Sequence, residues 1–162
     1  MIDTGITIDN EGHVVVMEQG NRRVQVFSPS GGFIRYLGTQ GHGDGQFSNP
    51  PDGVQDLQDR YIITDYYNNR IQMLTADGEF IRKFGSHGSE QGQMSNPYGV
   101  CLDRHGNIVL CDLHNHRIQI FTPEGDFIRQ FGSHGSGDGQ LNNPTGNVVP
   151  PYSPIEILFN NR

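Results

Sequence analysis

Hydrophobic positions along this chain fall in short runs that never sustain a helical period. The clearest stretch holds four of them, Tyr98 to Asp103, Asn107 to Asp112, His116 to Phe121 and Asp126 to Phe131. Runs of this length bounded by turn residues predict short β-strands. Gly106 and Gly125 separate the first from the second and the third from the fourth, where tight turns often demand a positive φ. The first two runs are almost continuously apolar (Val100, Leu102, Ile108, Val109, Leu110), the pattern of strands covered on both faces. The fourth carries Arg129 and Gln130, which marks an outer strand partly in water.

The whole pattern occurs three times with an offset of 47 residues. Asn21-Arg22-Arg23-Val24-Gln25-Val26-Phe27 returns as Asn68 to Leu74 and as Asn115 to Phe121, and Gly45-Gln46-Phe47-Ser48-Asn49-Pro50 returns as Gly92 to Pro97 and Gly139 to Pro144. A period in the forties built from strand-like runs predicts a β-propeller blade. The expected fold is all-β, about three four-stranded blades over residues 5–38, 50–85 and 97–132 within a repeat region 1–146. Propellers typically close with about 4 to 8 blades, so three make an incomplete ring, half of a six-bladed one. The period stops after Gly146, and residues 147–162 read as an irregular tail in which Pro150, Pro151 and Pro154 exclude a central strand. Three origins fit: a segment of a longer propeller, a truncated product with an unrelated tail, or a homodimer whose two copies complete a six-bladed ring.

Composition agrees with short strands and many turns: 33% hydrophobic residues, 22 glycines and no Trp. The net charge of −7 is spread evenly, with −2, −3 and −2 over residues 1–47, 48–94 and 95–141. With no basic block, DNA is not an expected partner. Cys101 is expected opposite roughly residue 108, leaving Cys111 about three residues away, ~10 Å at strand rise and beyond disulfide reach. Free thiols fit a reducing compartment. No apolar run approaches the roughly 20 residues of a membrane span, and Met1-Ile2-Asp3-Thr4 lacks signal-peptide character. The expectation is a cytoplasmic protein with no membrane contact.

Two repeated features imitate catalytic chemistry. Glu18/Arg23, Asp65/Arg70 and Asp112/Arg117 place an acid and an arginine across the second-to-third-strand hairpin, where opposite charges pair for roughly 0.2 to 1 kcal/mol. Their presence in all three copies assigns them to the scaffold. The Gly132 to Gln140 segment is rich in glycine, yet no Lys-Ser/Thr follows at phosphate-loop spacing and no helix pattern opens after it, so it reads as a blade linker.

The run Pro97-Tyr98-Gly99-Val100-Cys101-Leu102-Asp103, followed by Gly106 to Phe121 and Gly125 to Gly132, resembles the NHL-repeat family. Its spacing and His-Arg-Ile-Gln-Ile-Phe wording are most similar to the NHL domain of tripartite-motif (TRIM) proteins. That resemblance implies a six-bladed propeller binding a substrate protein or RNA in a ubiquitin ligase. The ligase chemistry is not expected in this chain, since a RING needs many Cys and His zinc ligands and two Cys occur. The second copy departs from the pattern, with an extra residue at Pro50-Pro51-Asp52-Gly53 and Asp59-Arg60 in place of the turn glycine.

Function is therefore expected on the loops. Those joining the second and third strands and those joining successive blades share one face, which gathers Arg22, Tyr66, Tyr67, Asn69, His87, Leu113, His114, His116 and His134. These positions vary while their frame does not, which suits a protein-binding surface, and tyrosines are typical anchors there. RNA binding is the alternative, with Arg22 and the tyrosines as contacts. It is weakened because six of the eleven basic residues occupy repeated scaffold slots. A metal-dependent propeller enzyme is the third reading: His114, His116, His87 and His134 could approach zinc, but a site needs converging ligands. Neither catalytic residues nor a metal or cofactor are expected.

Overall fold

The computed structural model describes residues 5–146 as three antiparallel sheets, each a four-stranded meander and each one blade of a partial β-propeller. Blade 1 holds β1 (Gly5–Ile8), β2 (Val14–Glu18), β3 (Arg23–Phe27) and β4 (Phe33–Gln40), with a short β5 (Gln46–Phe47) from the following linker paired parallel to β4. Blade 2 holds β6 (Gly53–Gln55), β7 (Tyr61–Asp65), β8 (Arg70–Leu74) and β9 (Phe80–Phe84). Blade 3 holds β10 (Pro97–Leu102), β11 (Ile108–Asp112), β12 (Arg117–Phe121) and β13 (Phe127–Phe131), with one 3-10 turn at Leu113–Asn115. The proline-rich tail expected at 147–162 lies outside the described residues.

Each first hairpin is set by an aspartate. Asp9, Asp56 and Asp103 accept two backbone N–H groups across their turns, from Glu11 and His13, from Gln58 and Arg60, and from His105 and Asn107. The left-handed turn position is Gly12 or Gly106 in the outer blades. In blade 2 Asp59 takes it at φ 60°, so the missing glycine leaves the turn intact.

Three details differ from the sequence reading. His116 is not the first residue of a strand; it closes the preceding turn with φ 52°, as Arg22 and Asn69 do in their blades, and β12 starts at Arg117. Cys101 pairs with Val109 rather than 108, so it sits diagonal to Cys111, and both cysteines are free. Blade 2 also contains no inserted residue. Gly53 pairs with Ile63 as Val100 pairs with Leu110, so Gly53 fills the valine slot and Asp52 fills the slot of Gly5 and Gly99. The turn at Asp56–Arg60 sets the count, and the letters Gly53-Val54 imitate Gly99-Val100 one step out of register.

The core lies between blades. Val15, Met17, Val24, Val26, Leu37 and Phe47 of blade 1 and its linker pack against Tyr61, Ile63 and Leu74. The other face of blade 2 packs Ile62, Ile71, Met73 and Met94 against Val100, Ile108, Leu110 and Phe121. Blade 2 therefore buries both faces, and β7 and β8 are buried at every position. At roughly 1.5–3 kcal/mol for each such side chain, these two layers dominate the stability. The fourth strands β9 and β13 are mostly exposed, as Arg82, Lys83, Arg129 and Gln130 indicate.

Candidate functional site: the loop face

The frame of this face is the repeated acid and arginine. Asp65 and Arg70 are direct cross-strand partners, as are Asp112 with Arg117 and Glu18 with Arg23. Arg70 Nε donates to Asp65 Oδ2 at 3.0 Å and Arg117 Nε to Asp112 Oδ2 at 2.8 Å, and all four residues are buried. Each arginine also reaches back to the preceding linker. Arg70 donates to the carbonyls of Gly43 (2.9 Å) and Gln46 (2.8 Å), and Arg117 to those of Ser89 (2.8 Å), Glu90 (3.0 Å) and Gln93 (2.9 Å). The acids take the next backbone N–H: Ser48 donates to Asp65 and Ser95 to Asp112. Asn68 and Asn115 add bonds from their amides to Gly41 and Gly88 carbonyls. The hairpin of one blade is thereby fixed to the linker that precedes it, and both kinds of loop lie on one face. In blade 1 the Glu18–Arg23 pair is more open, with Arg23 over the Tyr36 ring at 5.1 Å.

On this frame the structure brings four rings together. Tyr66 stands edge-on to Tyr67 (5.0 Å between centroids), Tyr98 (6.1 Å) and His114 (6.3 Å). They come from the hairpin loop of blade 2, the first strand of blade 3 and the hairpin loop of blade 3. Tyr67 is 61% exposed, while Tyr66 and Tyr98 are half-buried. Burial pushes the Tyr66 hydroxyl up from its ordinary pKa, so it stays a neutral phenol. His114 Nδ1 lies 2.7 Å from Asn96 Oδ1. Asn69 Oδ1 accepts the Asn96 N–H at 2.9 Å, which ties the hairpin of blade 2 to the start of blade 3.

A second contact joins His116 and His134, tilted with centroids 4.3 Å apart, and His116 Nδ1 accepts the Asn143 N–H. His87 is exposed on the preceding linker and Arg22 on the hairpin of blade 1, and neither joins these ring contacts. Leu113 does not belong to the accessible surface: it is buried at 8% exposure beneath the 3-10 turn. Among the described residues no three His, Cys, Asp or Glu converge to hold a metal ion. Tyr98 and Asn96 are not among the loop-face residues that the sequence gathers. The signal was that Tyr98 stands where the other linkers carry Pro51 and Thr145.

Toward the first strands, Asp52 is buried and accepts the Val100 N–H at 2.9 Å. Desolvation lifts its carboxyl to about 6. Burial also raises both thiols, Cys111 to about 11, which keeps them protonated and weakly nucleophilic. No helix among the described residues is long and apolar enough to cross a membrane.

Comparison with known proteins gives the fold a name. Residues 94–121 match the NHL repeat. No curated protein matches the chain. Among solved structures, virginiamycin B lyase from Staphylococcus aureus is similar at 20% identity over 85% of this chain and 44% of its own, TM-score 0.61. A protein of unknown function from Bacteroides thetaiotaomicron aligns at 15% identity over 88% and 40%, TM-score 0.70. A chain of a nidogen/laminin complex aligns at 20% identity over 78% and 46%, TM-score 0.65. The chain spans less than half the length of each of these proteins. The likeness establishes a β-propeller segment carrying an NHL repeat.

Proposed function

We propose that this segment is a non-catalytic interaction module that holds a protein partner on its loop face, centred on Tyr66, Tyr67, Tyr98 and His114. The observation that carries this reading is the joining of four rings from two blades on a frame of buried ion pairs. Aromatic anchors held rigidly lose little conformational entropy on binding, which is why such residues dominate interface energetics. NHL propellers as a class bind proteins, and one structural neighbour was solved as a nidogen/laminin complex. The finer reading is a substrate-binding part of a TRIM-like ubiquitin ligase working in the cytoplasm.

The test is affinity capture with the wild-type chain beside Tyr67→Ala and His114→Ala together, with circular dichroism showing both preparations folded. Proteins retained by the wild type and lost at least tenfold from the variant support the reading. Equal recovery from both, or recovery of cross-linked RNA in place of protein, overturns it.

A further inference from the structure

The two outer faces of the three-blade unit are the two halves of an interface that the chain already forms twice within itself. On the far side of blade 3, Ile118 and Leu141 are half-buried and Phe131 is 54% exposed. The same slots one repeat earlier are Ile71, Met94 and Phe84, packed against blade 3, and two repeats earlier Val24, Phe47 and Leu37, packed against blade 2. On the near side of blade 1, Phe33 is 53% exposed and Val14 half-buried. Their counterparts Phe80 and Tyr61, and then Phe127 and Ile108, pack against the blade before them.

The polar groups divide in the same way. At both internal interfaces a linker is held by an asparagine, an arginine and a glutamine of the next blade. Gln72 accepts the Gly45 N–H (2.9 Å) and donates to the Gln46 carbonyl (2.6 Å), and Gln119 does the same with Gly92 (3.0 Å) and Gln93 (2.6 Å). The counterparts in blade 1 are Asn21, Arg23 and Gln25. All three bond their own Glu18, as Asn68 and Arg70 bond Asp65 and as Asn115, Arg117 and Gln119 bond Asp112, and Arg23 Nη1 also lies 3.3 Å from the Tyr36 hydroxyl. Asn21 and Arg23 border a shallow hollow that Tyr36, Gly38, Thr39 and Gln40 complete. The matching linker after blade 3 is already shaped: the Gln140 side chain accepts the Gly137 N–H at 2.9 Å, as Gln93 does from Glu90 and Gln46 from Gly43. Ser136, Gly137 and Gln140 occupy the slots of Ser89, Glu90 and Gln93, whose carbonyls accept from Arg117 one repeat earlier.

The geometry points to head-to-tail docking of a second copy of this chain, its blade 3 face and Ser133 to Leu141 linker seated on Asn21, Arg23 and Gln25 of the first. A second copy is the occupant because each chain carries both halves of one interface, apolar slots and hydrogen-bonding groups alike. With three blades per copy, two copies close a six-bladed ring in which neither half is left over. On docking, Arg23 adds linker carbonyls to its Tyr36 contact, as Arg117 combines Gln130 with Ser89.

The experiment is light scattering after size exclusion on the full chain across a concentration series, with circular dichroism on each peak. Two variants accompany it. Ile118→Glu places a charge on the outer face of blade 3, and Arg23→Ala removes the linker ligand on blade 1. The expected result is a folded species at twice the 18.1 kDa chain mass, shifted to the single-chain mass by either substitution with an unchanged β spectrum. A folded species at the single-chain mass at every concentration overturns the inference. So does an oligomer of any size whose mass neither variant reduces.

Discussion

Asp52 shows how one residue can break the period and leave a measurable trace. In the other blades its slot holds glycine for a steric reason: a Cβ at Gly5 would meet the Pro51 carbonyl at 2.3 Å and one at Gly99 the Gly146 carbonyl at 1.9 Å. Blade 2 accommodates the larger residue where β10 departs from regular pairing with β11, between Pro97 and Val100, and Val100 there donates its N–H to the carboxylate. Burial outweighs that bond and raises the folded-state pKa from 3.8 to about 6. For an acid shifted upward the folded state binds more protons between the two values. Its contribution therefore weakens stability as pH rises from about 4 to about 6 and is constant above that. Asp52→Asn should remove this slope and stabilise the protein at pH 7 by up to about 3 kcal/mol, since one pKa unit is about 1.4 kcal/mol. Urea unfolding of both proteins at pH 4.5 and 7 measures it. An unchanged difference between the two pH values would show that Asp52 is ionised without cost.

At the level of elements, the hairpins were legible because four residues between Asp65 and Arg70, or Asp112 and Arg117, leave those two side chains opposite each other in any tight connection. The partner half of the clamp was hidden, because its acceptors are backbone carbonyls of Gly43, Gln46, Ser89, Glu90 and Gln93, which no residue type announces. Burial also changes the scale of the pair: the roughly 0.2 to 1 kcal/mol expected for a cross-strand charge pair does not describe side chains 8% and 0% exposed. Arg70→Ala leaves Asp65 buried beside the freed linker carbonyls and should cost about 3–5 kcal/mol. Arg82→Ala, which removes a mostly exposed bond to the Glu124 carbonyl, should cost no more than about 1 kcal/mol. Denaturant midpoints of the two variants separate these values, and equal losses would contradict the clamp. The aromatic cluster was half legible for a related reason. Tyr66 and Tyr67 sit on the recognisable hairpin loop of blade 2 and His114 on that of blade 3, whereas Tyr98 reaches them from the first strand of blade 3, a neighbour the one-dimensional repeat does not display.

At the level of the whole molecule, a propeller blade contacts only its neighbours, so stability is close to a sum of blade terms and interface terms. Three blades in one chain form two interfaces, while three blades in a ring of two copies form three per chain, and the added one depends on protein concentration. Mass action then makes thermal stability concentration-dependent, each tenfold increase adding about 1.4 kcal/mol per dimer. With an unfolding entropy near 2 cal/mol/K per residue across two chains of 162 residues, that corresponds to a rise in Tm of about 2 °C for every tenfold increase. Ile118→Glu should unfold at one temperature whatever its concentration, and at low concentration it should coincide with the wild type, because Ile118 is not part of the core between blade 2 and blade 3. Differential scanning calorimetry over a hundredfold range decides the matter. A wild-type Tm that does not move would place all of the stability in the two interfaces already present.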